Sequence, residues 1–264
     1  MGMGVAGSYL LARLKDSGHE ATGYERSARE RHDSICAWGT IKPVLEEFCK
    51  KVGRDFGDYL IHDGRAMRVR MAGDTRFEIG LKGLCTYNKL GLIQEFIRDC
   101  DVRYGSAPPL EELEKEYDLI VDCTGFSRHY LPRLKEDFFV PTYEYKVEYE
   151  NGVPMDDFYI EPFPSMSGYF WYFPLGEKWA HIGAGDYNKN HIKRTDEFLK
   201  KHGGRVIQTK GRPIRLATPD QCKPYRAGKV VGVGESIGTV YALLGEGIIP
   251  SMQCVELFME NIDD

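Results

Sequence analysis

The sequence contains no run of 18 apolar residues, and so no segment able to cross a bilayer as a helix. It has no C-x-x-C pair. Its cysteines (Cys36, Cys49, Cys85, Cys100, Cys123, Cys222, Cys254) are an odd number and widely scattered, which indicates neither a zinc site nor a disulfide framework. It has no basic tract, and a net charge of -5 lacks the electrostatic footprint of a nucleic-acid binder, so no nucleic-acid partner is expected. No positively charged segment followed by an apolar stretch heads it, so no secretory signal is read and the expected compartment is the reducing cytoplasm. The histidines at 19, 32, 62, 129, 181, 191 and 202 show no metal-ligand spacing, and no metal is expected. Internal repeats and low-complexity segments are missing too. What is present is a globular composition, 42% hydrophobic and 28% charged, in 264 residues: enough for a sizeable core, in one large domain or two small ones.

The chain is organised around its opening, Met1-Gly2-Met3-Gly4-Val5-Ala6-Gly7. Gly2, Gly4 and Gly7 have the G-x-G-x-x-G spacing of a dinucleotide-binding turn. The first glycine allows a tight turn, the second lets the backbone approach a pyrophosphate, and the third lets the next helix lie close to the sheet. Leu10, Leu11 and Leu14 continue the stretch as a helix, with Gly18 at its stop. Ala21 to Tyr24 read as a short strand ending in Glu25. That carboxylate lies near the roughly 20-residue offset at which an acid meets the ribose hydroxyls. Such a turn follows a buried parallel strand, yet only Met1 precedes Gly2; further residues upstream are expected in the native gene.

Pro43 to Val52 and Lys89 to Cys100 carry helical periodicity, and Met67, Val69 and Met71 alternate between turns at Asp63-Gly64 and Gly73-Asp74. After Pro108-Pro109 a short charged helix is expected from Leu110 to Glu116. The apolar run Tyr117 to Cys123, closed by Thr124-Gly125, suits a central parallel strand. From about Val140 the chain turns aromatic and strand-rich: Tyr143 to Tyr149 alternates strictly, and Tyr169 to Gly185 reads as two strands joined at Gly176-Glu177. A helix is expected near Arg194 to Lys201, a strand through Val206-Ile207, another from Lys229 running into a turn at Glu235, and a last helix opened by Gly245-Glu246-Gly247-Ile248 and reaching Phe258. The predicted class is α/β, a Rossmann-like nucleotide-binding domain (1–58, 84–130, 214–264) with an inserted antiparallel-sheet substrate domain (59–83, 131–213).

Tyr169-Phe170-Trp171-Tyr172-Phe173-Pro174, then Gly183-Ala184-Gly185, is similar to the Y-x-W-x-F-P…G-x-G signature of geranylgeranyl reductases, flavoenzymes that saturate isoprenoid chains. Cys36-Ala37-Trp38-Gly39 resembles that family's Cys-x-x-Gly loop. The glycine turn with Glu25, and Val231 to Gly247, resemble its two FAD motifs. There are departures. Glu235 stands where the family usually has Asp, Leu11 replaces a small residue, a strand meander is missing before Asp118, and further helical structure is usual beyond Ile262.

The resemblance implies FAD as cofactor, held by Gly2, Gly4, Val5, Ala6, Gly7, Glu25, Arg26, Cys36, Thr124, Gly125, Gly234, Glu235, Gly245, Glu246, Gly247 and Ile248. It implies an isoprenoid substrate bound by Trp38, Tyr169, Trp171, Phe173, Pro174, Gly183 and Gly185. Cys36 would lie beside the flavin as the catalytic group, protonating the alkene carbon opposite the hydride. The helix start at Gly245-Glu246-Gly247 would aim unpaired N–H groups at the flavin. Each has a plainer reading: Thr124-Gly125 as a turn without ligand, the aromatics as sheet core, Cys36 as a small buried hydrophobe. The expected activity is reduction of carbon–carbon double bonds, with NADPH or ferredoxin as electron donor and peripheral contact with a membrane. A flavin monooxygenase of the same fold, and a non-catalytic remnant binding FAD or isoprenoid, are the alternatives.

Overall fold

The computed structural model describes residues 1–33 and 36–262. In chain order its elements are α1 (Val5–Asp16), β1 (Thr22–Glu25), β2 (Gly39–Ile41), α2 (Lys42–Lys51), β3 (Leu60–Asp63), β4 (Ala66–Arg70), β5 (Arg76–Gly80), β6 (Leu84–Tyr87), α3 (Lys89–Phe96), β7 (Asp101–Tyr104), α4 (Leu110–Glu116) and β8 (Ile120–Asp122). They continue with β9 (Phe139–Glu148), β10 (Phe158–Pro162), β11 (Gly168–Pro174), β12 (Trp179–Asp186), α5 (His191–His202), β13 (Arg205–Arg215), β14 (Arg226–Ala227), β15 (Val230–Gly232) and α6 (Ile248–Glu260).

Two parallel pieces of sheet make the α/β half: β1 with β7, and β8 with β15, the latter flanked by β14. Met1 and Gly2 lie between them. The Met1 nitrogen donates to Val121 O at 2.8 Å, Cys123 N donates to Met1 O at 2.9 Å, and Gly2 N donates to Tyr24 O at 2.7 Å. Met1 and Gly2 thus hydrogen-bond to both pieces of sheet. Helices α1, α2, α3 and α6 bury Tyr9, Leu45, Phe48, Phe96, Met252 and Val255 on one side of this layer. Each such side chain stabilises the layer by about 1.5–3 kcal/mol. Leu11 does not loosen the packing of α1 on the sheet as its size suggests: its Cδ2 fills the bare side of Gly23, 2.8 Å from where a Cβ would stand.

The second layer is a seven-stranded sheet in the order β13-β9-β12-β11-β10-β4-β5. Opposed residues on neighbouring strands point to one face. One face carries Tyr145, Val147, Tyr149, Phe170, Tyr172 and Ile182, covered by α5 through Phe198, whose ring lies 4.8 Å from Phe170. The other carries Glu144, Lys146, Tyr169, Trp171, Phe173, His181 and Gly183, and turns toward the α/β half. β3, grouped from its sequence with this inserted sheet, pairs instead with β6, beside β2. The chain crosses between sheets at Gly64, whose bare side is filled by the Phe158 ring.

Candidate functional site

The three opening glycines have three different surroundings. Gly2 has φ +84, and a Cβ there would stand 2.8 Å from Cys123 O, so the turn is tight against the end of β8. A Cβ on Gly7 would lie 1.9 Å from Gly2 O, so α1 closes on the turn as only glycine allows. A Cβ on Gly4 would meet nothing within 4 Å. Gly4 also caps α1 without a side chain, and no acid sits in the first turn. No side chain of the protein caps the N-terminus of α1 and the flank of Gly4 is open, so the positive end of the helix is left to an acceptor from outside, which fits an anionic pyrophosphate.

Glu25 stands at the tip of β1. Its Oε2 accepts from Met3 N at 3.0 Å and its Oε1 from Ser27 N at 2.8 Å. These bonds fix the carboxylate beside the turn and leave further lone pairs for ribose hydroxyls. Arg26 next to it is exposed. Thr124 and Gly125 end β8 beside Gly2, ordered by the fully buried Asp122, whose Oδ1 accepts from Thr124 N and Oγ1. Gly234 lies against Ala6 of α1, a Cβ there meeting the Ala6 methyl at 2.8 Å. The second glycine motif is thus packed on the first. Glu235 is not a free arm: its Oε2 accepts from Arg212 at 2.7 Å and its Oε1 from the Arg215 backbone N–H at 3.0 Å. It ties the α/β half to β13.

The start of α6 departs from the expected free donors. The Glu246 Oε1 accepts from Ile248 N at 2.9 Å and Ile249 N at 3.0 Å, so the helix is capped by its own carboxylate. Burial raises the pKa of this carboxyl above the usual range, and the two N–H bonds pull it back down. Gly245 and Gly247 flank it, with Gly245 at φ +61.

Opposite these loops stands the aromatic face of the large sheet. The Phe173 ring occupies the bare side of Gly39, 2.4 Å from where a Cβ would stand, so the two motifs that resemble the reductases touch each other. The Tyr169 hydroxyl donates to Leu244 O, and Thr86 Oγ1 donates to Pro174 O at 2.6 Å. Gly183 is overlain by the Trp171 indole, and Gly185 is approached by Thr142. Cys36 is half-buried and its Sγ accepts from Trp38 N at 3.4 Å. Trp38 takes φ +62, rare for a bulky residue, and its ring lies 4.9 Å edge-on to His181. The Lys146 ammonium sits 4.8 Å from the Trp38 ring and 4.8 Å from the Trp179 ring.

Four residues of this region escape sequence reasoning: Lys89, Glu144, Lys146 and His181. Lys89, Glu144 and His181 are buried. Burial pushes the Glu144 carboxyl up to about 8, opposed by Trp171 and Lys89. Burial takes His181 down to about 3, helped by Lys146 and Lys89 and opposed by the backbone carbonyls of Ala37 and Cys36. A signal existed for two of them, since Glu144 and Lys146 alternate with the tyrosines of β9; His181 is placed directly across from Lys146 only by the sheet register. Among the described residues no cluster could hold a metal ion, and no helix is long and apolar enough to cross a membrane.

No protein-family model matches the chain. Over 121 residues it is 30% identical to digeranylgeranylglycerophospholipid reductase 2 of Methanothermobacter thermautotrophicus, a match covering 42% of this chain and 31% of that protein. Over 117 residues it is 32% identical to geranylgeranyl diphosphate reductase of Synechocystis sp., covering 40% of this chain and 27% of that protein. The matched stretch spans less than a third of either relative. Among solved structures, a geranylgeranyl bacteriochlorophyll reductase-like protein of Thermoplasma acidophilum aligns with TM-score 0.76 at 16% identity, over 99% of this chain and 78% of that one. A probable FAD-dependent monooxygenase of Pseudomonas aeruginosa aligns with TM-score 0.72 at 15% identity, over 99% and 84%. A flavin-dependent halogenase aligns with TM-score 0.66 at 14% identity, over 99% and 58%. The resemblance to the geranylgeranyl reductase family is thus borne out over two fifths of the sequence, and the α/β fold is the one shared by this reductase-like protein, the probable monooxygenase and the halogenase.

Proposed function

We propose that the protein is an FAD-dependent oxidoreductase that reduces carbon–carbon double bonds of an isoprenoid lipid. Residues 1–58, 84–130 and 214–264 would hold the cofactor, and 59–83 and 131–213 the substrate. The observation that carries the cofactor is the division among the glycines: Gly2 and Gly7 closed by backbone, Gly4 open before an uncapped helix. When bound, FAD supplies the two-electron hydride chemistry. The chain's own part is binding and orientation. The first turn of α1 would receive the pyrophosphate, and Glu25 would accept from the ribose. Tyr169, Trp171 and Phe173 would wall an apolar path along the sheet face, keeping water from the alkene. Cys36, between that wall and the α/β half, would stand close to the reacting carbons. Support for the isoprenoid comes from the names of the two sequence relatives. The exposed Tyr241, Leu243 and Leu244, on the loop before α6, support peripheral contact with a membrane that carries such a substrate. NADPH or ferredoxin would supply the electrons.

The test is the visible absorption of the purified protein with FAD, followed by anaerobic reduction and addition of a geranylgeranyl lipid. The expected result is a flavin spectrum bleached by reductant and restored by the lipid, with saturated product. Cys36→Ser is expected to keep the spectrum and slow its return. A protein that stays colourless with FAD supports the non-catalytic reading instead. The fold likeness to a probable monooxygenase favours a second reading; spectral return that requires oxygen and releases a hydroxylated product would establish it.

A further inference from the structure

We propose that Glu144, set beside His181 on the aromatic face of the large sheet, carries the proton that is added to the substrate carbon opposite the hydride. The assignment rests on the reductase reading above.

Glu144 stands mid-strand on β9, directly across from Gly183 of β12 and Lys210 of β13. Because Gly183 has no side chain, the Trp171 indole lies over it from β11 and reaches toward Glu144. Glu144 is 6% exposed and His181 is 2% exposed. His181 Nδ1 lies 3.7 Å from Glu144 Oε1, too far for a hydrogen bond. Among the described residues Glu144 Oε2, His181 Nδ1 and Trp171 Nε1 are all buried without a hydrogen-bond partner. The Trp171 indole N–H is near enough to Glu144 to lower its carboxyl but falls short of a well-formed hydrogen bond, and His181 Nδ1 has no partner, so this buried patch is costly to maintain as mere packing. They sit on the face that carries Tyr169 and Phe173 and that Trp38 closes from the other layer.

Charge follows from burial. A Glu144 carboxylate with a His181 imidazolium would place two ions in a dry site, and burial rejects both. Burial raises the carboxyl and lowers the imidazole, so both groups favour their neutral forms and the pair's ionisable proton sits on Glu144. The other titratable groups turned this way are Lys89 from α3, Lys146 on the same strand, Lys210 of β13, which is paired with Asp33, and Cys36 from the facing loop. The step balances. The Glu144 O–H bond breaks and a C–H bond forms at one alkene carbon. The neighbouring carbon receives a hydride from a two-electron donor of the reduced-flavin class, so the alkene is reduced and the donor oxidised. Water then reprotonates the carboxylate.

The test compares wild type with Glu144→Gln and Glu144→Asp. In the protein without cofactor, infrared difference spectra between pH 6 and pH 10 should show a carboxylic-acid carbonyl that titrates near 8 in wild type and is missing in Glu144→Gln. In single turnovers of pre-reduced enzyme with a geranylgeranyl lipid, Glu144→Gln should be slowed about 100-fold, the scale of a lost general acid. FAD affinity and the rate of reduction by dithionite should stay within about twofold of wild type. The wild-type rate should fall above pH 8, the Glu144→Gln rate should be flat, and Glu144→Asp should recover a pH dependence. A missing infrared band, or a Glu144→Gln enzyme as fast as an active wild type, overturns the assignment alone. A wild type that binds no FAD or reduces no isoprenoid overturns the functional reading and the assignment with it.

Discussion

Helices α1 and α6 both begin behind glycine-rich loops, and both were read from sequence as places where free N–H groups meet the cofactor. At α1 the cap is Gly4, its flank is open, and the first turn holds no carboxylate. At α6 the cap is Gly247, but Glu246 folds back and its Oε1 takes the N–H groups of Ile248 and Ile249. The two loops look alike as glycine patterns and differ as anion sites. A helix N-terminus is available to a ligand only when the chain's own acceptors leave it so. At α6 a flavin would share the donors with a carboxylate already in place.

The largest expected effect breaks the first half of that comparison. Gly7→Ala puts a methyl group 1.9 Å from Gly2 O and 3.2 Å from the Cys123 Cβ, so turn and helix must part. A loss of about 3 kcal/mol is expected, read as a lower Tm, together with loss of FAD binding. An unchanged Tm would show that α1 does not close on the turn. Next comes Gly4→Ala, where the added methyl meets nothing within 4 Å. Thermal stability should fall by less than about 1 kcal/mol, because only the capping preference changes. FAD affinity, read by fluorescence quenching, should drop by about tenfold or more, since the methyl intrudes where the pyrophosphate approaches the backbone. Equal effects on stability and binding would remove the distinction between the glycines.

The smallest effect sharpens the second half. Burial raises the Glu246 pKa above the usual carboxyl range, so the folded protein holds its proton more tightly than the unfolded chain. Stability from this group is therefore fully present below the ordinary carboxyl value and is lost as pH rises through the raised one. Glu246→Gln keeps an acceptor for Ile248 and Ile249 and removes the titration. Denaturant unfolding at pH 5 and pH 8 should show wild type losing stability relative to the variant as pH rises. A gap that does not change with pH means the carboxyl does not titrate there.

How far the site was legible can be followed through single residues. The turn was readable because its requirements are local: Gly2 at φ +84 and Gly7 under a carbonyl are demands that the spacing alone states. Helix α4 runs over the residues expected of it, from Leu110 to Glu116, because prolines and charge mark both ends. The alternation of Tyr143 to Tyr149 correctly separated two faces. It could not say that the face with Glu144 and Lys146 is covered too, because its cover comes from Trp38 and α3, far away in sequence. Glu235 reads as an arm toward the cofactor, and in the structure its two oxygens also accept from Arg212 and the Arg215 backbone, which hold it against β13. Leu11 looked oversized until Gly23 made room for it.

What the sequence determined by itself was therefore backbone geometry and periodicity: where glycine must stand, where the period is 3.6 and where it is 2. Those properties depend on neighbours a few bonds away. Only the tertiary structure decided which carboxylates remain free, which are spent as caps or ion pairs, and which lie dry and protonated. Those outcomes depend on donors and on burial supplied by segments far along the chain. Glu144 owes its proton to a layer that its own strand does not contain.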